Sequence, residues 1–266
     1  MRIWNERRRR EEERAMIRMR QIYALQTSIL RIVADLVESR DNITGGHVER
    51  TQRYLGILYI AMRRKGLFEE ELMDWSEKYT LPSALLHDVG KIVIPDQILM
   101  KPGRLTDEEF AIMKTHVNAG AKLIRRMIED IDISTLHEGG LVQYEGAQFL
   151  QDAYIFASCH HEKWDGTGYP CGRAGKGIPL KGRMMALGDV YDALVTRRPY
   201  KEPYTHEQAV AIIEDGAGTH FDPALVDVFL SVKDKFASVA TASGSDILPI
   251  HSPLEYDLRD QVLLCG

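Results

Sequence analysis

His87 and Asp88 stand side by side in the run LPSALLHDVGK from Leu81 to Lys91, where Leu81, Ala84, Leu85 and Val89 supply an apolar helical face. An imidazole and a carboxylate are costly to desolvate, so within a buried helix they need partners. The strongest partner is a divalent metal, for which neutral histidine and ionised aspartate are both good ligands. Taken alone, such a pair more often means a core histidine beside a capping aspartate. Recurrence changes that reading. His47, His116, the adjacent pair His160-His161 and Asp189 bring the same ligand types from other parts of the chain. Asp189, an acid in an otherwise apolar helical stretch from Met184 to Val190, would by itself read as a buried acceptor for a tyrosine or a helix end. The seven side chains together are too many for one ion and suit two that share a bridging carboxylate. Ligation by nitrogen and oxygen without thiolate favours iron, manganese or a similar divalent ion over structural zinc. His137, His206, His220 and His251 read as surface residues.

Helix bundles build metal sites by converging side chains from facing helices. The chain offers such helices and little strand-like alternation, so the expected fold is all-α: a helical bundle with a long N-terminal helix. Residues 1–38 form that helix, with no Gly or Pro. Arg7 to Arg14 is too polar to bury, whereas Ile22, Leu25, Ile29, Ile32 and Leu36 are spaced 3, 4, 3, 4 as a short coiled-coil seam. This is either a dimerising helix that passes on a signal from an upstream receiver or sensor domain, or a solvated first helix packed on its own domain. Acidic residues interleave with the arginines, which argues against a nucleic-acid arm.

Asp41 to Gly46 is rich in breakers and halts the first helix. A second helix starts near His47 and turns Tyr54, Leu55, Leu58 and Met62 inward. The helix carrying His87 and Asp88 ends near Gly90, and Ile92 to Leu105 is an irregular connection. Thr106 with Glu109 forms an N-terminal capping sequence for a helix that presents His116 and runs to about Ile128. Residues 129–146 read as a long loop and Ala147 to about His161 as a helix. Trp164 to Gly177 forms a rigid loop, after which helix resumes through Leu194. Thr205 with Gln208, and Asp222 before Pro223, announce two more helices. The expected division is an N-terminal helix (1–38), a catalytic domain (39–236) and a linker or tail (237–266).

With 266 residues, 44% apolar and 27% charged, the chain can bury one sizeable core. Its net charge of -5 provides no global field for a nucleic-acid polymer or an anionic membrane, although a local basic patch could hold a phosphorylated small molecule. Cys159, Cys171 and Cys265 form no C-x-x-C pair, which fits a reducing compartment. No apolar run would span a bilayer and no secretory signal is evident, so a cytoplasmic location with no membrane partner is expected.

His87-Asp88 with Val89-Gly90-Lys91, then His116, then HHEKWDGTGYP from His160 to Pro170, resembles the HD-GYP family. These are bacterial metal-dependent phosphodiesterases that linearise cyclic di-GMP, a subgroup of the HD-domain phosphohydrolases. The resemblance runs from about Ser39 to about Leu230. It implies one metal held by His47, His87 and Asp189, a second held by His116, His160 and His161, and Asp88 as the bridge. It further implies that Lys91 meets a phosphate oxygen, that Tyr169 of the GYP loop shapes the nucleotide pocket, and that Arg198 and Lys201 hold the dinucleotide's phosphates. Many members carry a third-metal glutamate four residues before the first histidine. Here that residue is Ile43, which cannot ligate, so the resemblance favours two metals. The interval from His116 to His160 also looks longer than usual, by roughly the 129–146 segment, read as a surface insertion or a lid.

The implied reaction suits these residues. A phosphodiester repels hydroxide, and a bound metal lowers the pKa of water from about 15.7 toward roughly 7. Two metals bridged by Asp88 would hold hydroxide in line with phosphorus, and Lys91 would add a point charge. No nucleophilic side chain is needed: the chain lacks a G-x-S-x-G motif, and Cys159 stands where a small core residue fits. The expected products are pGpG and, after further cleavage, GMP. Two other readings stand beside this one: a non-catalytic receptor for cyclic di-GMP that signals through the N-terminal helix, and a phosphohydrolase of another cyclic dinucleotide.

Overall fold

The structure, a computed structural model, describes residues 2–41, 46–135, 141–197 and 202–242. The fold is all-α. Eleven α-helices are present among the described residues: α1 (Arg2–Glu38), α2 (His47–Lys65), α3 (Glu69–Leu72), α4 (Glu77–Ser83), α5 (Asp96–Leu99), α6 (Asp107–Thr135), α7 (Leu141–Cys159), α8 (Leu180–Val195), α9 (His206–Asp215), α10 (Pro223–Leu230) and α11 (Lys233–Thr241). Only two isolated β-bridges, Asp165 with Ala174 and Ala217 with Phe221, interrupt the helical pattern among those residues.

The main core lies where α2 and α8 cross and α9, α10 and α11 close over them. Tyr54, Leu55, Leu58 and Met62 of α2 meet Met184, Leu187 and Tyr191 of α8 there, with Phe229 and Phe236. The 3.6-residue periodicity of α2 puts those four side chains on one stripe, which is why they bury together. Tyr54 stacks on Phe236 with ring centroids 4.6 Å apart, and Tyr191 meets Phe236 edge-on at 5.1 Å. A second cluster joins Leu86 and Val89, next to the HD pair, to Ile124 of α6 and to Leu150, Ala153 and Ala157 of α7.

Local signals hold where they were strongest. The Thr106 amide donates to Glu109 Oε2 at 2.7 Å and the Glu109 amide donates to Thr106 Oγ1 at 3.3 Å, which closes the box that starts α6. Thr205 and Gln208 form the equivalent box at α9. Asp222 Oδ1 accepts from the Ala224 amide at 3.0 Å, with Pro223 in the first turn of α10.

Three expectations are corrected. First, His87 and Asp88 do not lie on an α-helix. The helix stops at Ser83, a 3-10 turn covers Ala84–Leu86, the HD pair forms the bend, and a second 3-10 turn runs from Val89 to Val93. Pro82 inside the last turn of α4 removes a helical donor. Tertiary contact completes the break: a Cβ on Gly90 would stand 1.9 Å from the His116 carbonyl oxygen and 2.5 Å from the Gly120 nitrogen. The bare glycine lets the chain lie directly on α6.

Second, 129–146 is not a long loop. Helix α6 continues to Thr135 and α7 begins at Leu141, leaving only 136–140 outside the described residues. No Gly or Pro lies between Glu129 and Thr135, and Gly146 inside a helix costs only about 1 kcal/mol relative to alanine. Third, His206 is not a surface residue. It is half-buried at the start of α9, with Nδ1 2.8 Å from the Tyr191 hydroxyl, because α9 packs on α8. His137 and His251 lie outside the described residues.

Helix α1 ends inside the domain. Ala34 and Val37 are buried, and Ala34 packs with Val48 and Leu85. Just beyond, Arg40 donates to the carbonyls of Ile92 and Ile94 at 3.0 and 3.2 Å and pairs with Asp96 at 2.6 Å. This clamps the end of α1 to the segment that follows the HD pair.

Candidate metal centre

Five of the seven candidate ligands, His47, His87, Asp88, His160 and His161, sit where an element begins, ends or breaks. His47 is the first residue of α2, and His160 and His161 follow the last residue of α7. His116 lies in the middle of α6 and Asp189 in α8, while the HD pair occupies the bend after α4. The structure gathers them into two adjoining groups. Donor atoms of Asp88, His116, His160 and His161 lie within 4.8 Å of one another, and so do those of His47, His87 and Asp189. The groups touch: the His87 ring is 5.7 Å from His47 and 5.3 Å from His160, centroid to centroid.

The rings are held so that one nitrogen is committed and the other aims inward. Nδ1 of His87 meets the Ala84 carbonyl at 2.9 Å, that of His116 the Met113 carbonyl at 2.7 Å, and that of His160 the Phe156 carbonyl at 2.9 Å. Nδ1 of His47 is 2.7 Å from Asp192 Oδ2. A carbonyl can only accept, so each of those three Nδ1 atoms carries a proton and Nε2 is the lone-pair donor of the neutral ring, a state that Asp88 opposes at His87 by raising its pKa. The Nε2 atoms of His87, His116 and His160 and Oδ1 of Asp88 are buried without a hydrogen-bond partner. Such orphaned groups are costly unless something else satisfies them, and cations at the two adjoining groups would satisfy all four. The donor set therefore fits divalent metal.

Asp88 faces both groups. Its Oδ1 is 3.2 Å from His116 Nε2 and 3.4 Å from His160 Nε2, while its Oδ2 is 3.4 Å from His87 Nε2 and 2.9 Å from Lys91 Nζ. Burial alone would raise its carboxyl, yet Lys91 and the surrounding histidines hold it well below the usual carboxylate range. Burial lowers His160 and His161, the latter helped by its neighbour His160, so both are neutral imidazoles ready to ligate. His47 differs. Burial disfavours its charged form, but Asp192, Glu38 and Asp189 outweigh this and raise it to about 9. An ion at this position must displace that proton.

Tyr169 closes one side. Its ring stacks on His161 at 4.6 Å between centroids, and its amide donates to the His161 carbonyl at 3.1 Å. Gly168 allows this approach, since a Cβ there would lie 2.3 Å from the Lys163 nitrogen. Buried Glu162 ties down the far side of the loop, accepting from the amides of Cys171 at 2.8 Å and Arg173 at 2.9 Å.

The family model described as "HD domain" matches residues 31–225. This chain belongs to the HD-domain family. A cyclic di-GMP phosphodiesterase of Vibrio cholerae is 47% identical to this HD domain over 205 residues, covering 77% of this chain and 39% of the relative. The cyclic di-GMP phosphodiesterase response regulator RpfG of Xanthomonas campestris is 36% identical over 221 residues, covering 82% and 51% respectively. A 3'3'-cGAMP-specific phosphodiesterase 2, also of V. cholerae, is 39% identical over 210 residues, covering 78% and 35%. The chain thus spans between about a third and a half of the length of these relatives. Their names and the signature from His87 to the Gly168-Tyr169-Pro170 loop make it an HD-GYP member.

Sequence patterns missed several residues that this HD domain uses to position its histidines. Asp192 is fully buried beneath His47 and accepts from Arg50 Nε at 2.7 Å, Arg50 Nη2 at 2.8 Å and the Tyr54 hydroxyl at 3.2 Å. Its one signal was placement three residues after Asp189, on the same face of α8. Arg198, Lys201 and Ile43 lie outside the described residues. Phe110 and Lys114 join the site from α6: the Phe110 ring meets Tyr169 edge-on at 6.2 Å, and Lys114 Nζ lies over both rings at 5.2 and 5.9 Å.

Asp192 sets an acid limit on stability. Burial alone would raise its carboxyl, but the hydrogen bonds from Arg50 and His47 hold it at about 2, below its ordinary 3.8. A carboxyl depressed in the folded state stabilises fully above the unfolded value and loses that contribution as pH falls through the folded one. Asp192→Asn is expected to cost about 3 kcal/mol at pH 7, since it strips Arg50 of its buried partner. The gap to the wild type should narrow between about pH 4 and pH 2, as read from urea midpoints across that range.

Proposed function

We propose that this HD-GYP domain hydrolyses a phosphodiester bond of cyclic di-GMP, releasing linear pGpG and, on a second cleavage, GMP. The observation that carries the reading is that three orphaned imidazole nitrogens and one orphaned carboxylate oxygen are buried in two adjoining ligand groups. The names of the relatives supply the substrate class. Two ions, iron or manganese, suit this nitrogen and oxygen donor set. His47, His87 and Asp189 would hold the first, His116, His160 and His161 the second, and Asp88 would face both through its two oxygens. Such ions, when bound, acidify water toward pKa 7 and oppose the charge that grows on the phosphoryl oxygens.

The chain's own residues do the rest. Asp192 and the three backbone carbonyls fix the imidazole tautomers before substrate arrives, so little reorganisation remains. Lys91, docked on Asp88, can turn its ammonium to a non-bridging phosphate oxygen. Tyr169 and Phe110 offer ring faces and edges to a guanine, and Lys114 beside them offers a charge to a phosphate. Arg198 and Lys201 are further phosphate contacts in this reading. The test couples elemental analysis of the purified protein with a chromatogram after incubation with cyclic di-GMP. Absence of pGpG and GMP from both iron- and manganese-loaded protein defeats the proposal. Binding without turnover would instead establish a receptor.

A second substrate, a mixed guanine–adenine cyclic dinucleotide, is favoured by the 39% identical relative named for 3'3'-cGAMP. Competition between the two dinucleotides in one reaction separates these readings.

Helix α1 is the proposed input and pairing element. Leu25, Ile29, Ile32 and Leu36 are 62, 51, 57 and 62% exposed, and their 4, 3, 4 spacing makes one apolar stripe. A second copy of α1 is the occupant that this heptad spacing suits. The upstream receiver or sensor domain is proposed from the response-regulator relative, of which this chain spans half. Replacing Leu25, Ile29 and Leu36 with glutamine is expected to convert a dimer into a monomer in light scattering; an unchanged mass would refute the pairing. No described helix is long and apolar enough to cross a membrane. A cytoplasmic setting is part of this proposal, consistent with the free thiols of Cys159 and Cys171.

A further inference from the structure

Helix α1 ends in an acid that neither the HD signature nor the metal groups include. Glu38, its last residue, is buried to 8% exposure, and its Oε1 has no hydrogen-bond partner. That oxygen is 3.8 Å from His47 Nε2, the same nitrogen that lies 3.4 Å from Asp189 Oδ1. Burying a carboxylate oxygen with nothing to accept from is unfavourable, and it persists only where the surroundings or a ligand compensate. Arg40, two residues on, is clamped to the segment after the HD pair, so the end of α1 holds Glu38 in place.

We propose that Glu38 is a positioning residue for the ion held by His47, His87 and Asp189, accepting a hydrogen bond from a water on that ion. The distance suits this role. Ligands of one ion at about 2.1 Å stand roughly 3–4 Å apart, and an oxygen 3.8 Å from His47 Nε2 lies just at the edge of that shell. Its nine-residue offset from His47 sets it apart from the usual glutamate position, taken here by Ile43. Because the acid belongs to α1, ion binding and the docking of α1 become linked: each tightens the other by the same factor. An input that shifts α1 thereby changes the affinity of the first ion.

This inference rests on the two-ion reading, and the experiment separates them. Wild type and Glu38→Gln are titrated with manganese by calorimetry, with metal-free melting temperature and hydrogen exchange of residues 30–41 measured alongside. Gln keeps the size and one carbonyl oxygen while removing the charge. The first site is expected to weaken by about 10–100-fold, the loss typical of an outer partner, with the second site unchanged. The metal-free melting temperature should change little, because Glu38 then loses only its 3.8 Å ion pair with His47 and no hydrogen bond. Manganese should protect residues 30–41 in the wild type and much less in the variant. Glu38→Asp, whose carboxylate is withdrawn by one methylene, should fall between the two in affinity. Equal affinity in wild type and Glu38→Gln overturns the inference alone, as does a variant whose metal-free melting temperature falls by about 6 °C or more, which marks a structural acid. A wild type that takes up no manganese or iron overturns the two-ion reading and this inference with it.

Discussion

Asp88→Asn is expected to empty both metal positions and to lower turnover by on the order of 10³-fold or more, with the helices intact. Asparagine matches the aspartate in size, so the bend between the 3-10 turns has no steric reason to move. What goes is the charge that both groups share. Oδ1 faces His116 and His160, and Oδ2 faces His87 and Lys91. A side-chain amide would present a neutral oxygen to one group and an N–H to the other. That N–H can donate to an imidazole Nε2 and so fill the spot with a hydrogen bond. Elemental analysis should show less than one ion per chain, and far-UV circular dichroism should match the wild type. Retention of both ions with wild-type turnover would mean that Asp88 bridges nothing.

Gly90→Ala should be the most damaging single-methyl addition near the site. The new Cβ would stand 1.9 Å from the His116 carbonyl oxygen, 2.9 Å from its carbonyl carbon and 2.5 Å from the Gly120 nitrogen. All three are backbone atoms, so no side-chain rotation relieves the clash. The bend must lift off α6, which parts His87 and Asp88 from His116. Overpacking of this kind costs about 3 kcal/mol, or roughly 6–12 °C in melting temperature for a domain of this size. Metal at the His116 position should be lost along with stability. Gly177→Ala is the control, with nothing within 4 Å of its added Cβ and no left-handed backbone. Equal melting temperatures for the two variants would show that the approach to α6 is not close.

The contrast between Asp88 and Gly90 shows what a linear reading can see. An acid beside a histidine in an apolar run announces its own cost, so the pair invites a search for partners. Gly90 carries no such mark, because its reason is the backbone at His116, 26 residues downstream. The bend at the HD pair was hidden likewise: the apolar spacing through Leu81, Ala84 and Leu85 is helical, and only Pro82 hints at a break. The 129–146 stretch was misread in the opposite direction. Gly139-Gly140 drew attention, whereas the uninterrupted run to Thr135 was the better guide.

Taken by itself, the amino-acid order determined the all-α class and the helix starts at Thr106, Thr205 and Asp222, because each depends on neighbours within a turn or two, and the recurrence of ligand types along the chain marked the candidate ligands. The tertiary structure alone decided which imidazole nitrogen is free, that Asp88 turns one oxygen to each group, and that Asp192 and Glu38 flank His47. Asp192 lies 145 residues from His47 and meets it only because α2 and α8 pack together. Local patterns record hydrogen bonds along the backbone. Contacts between distant side chains follow from how apolar stripes fit against one another, and that fit belongs to the folded whole.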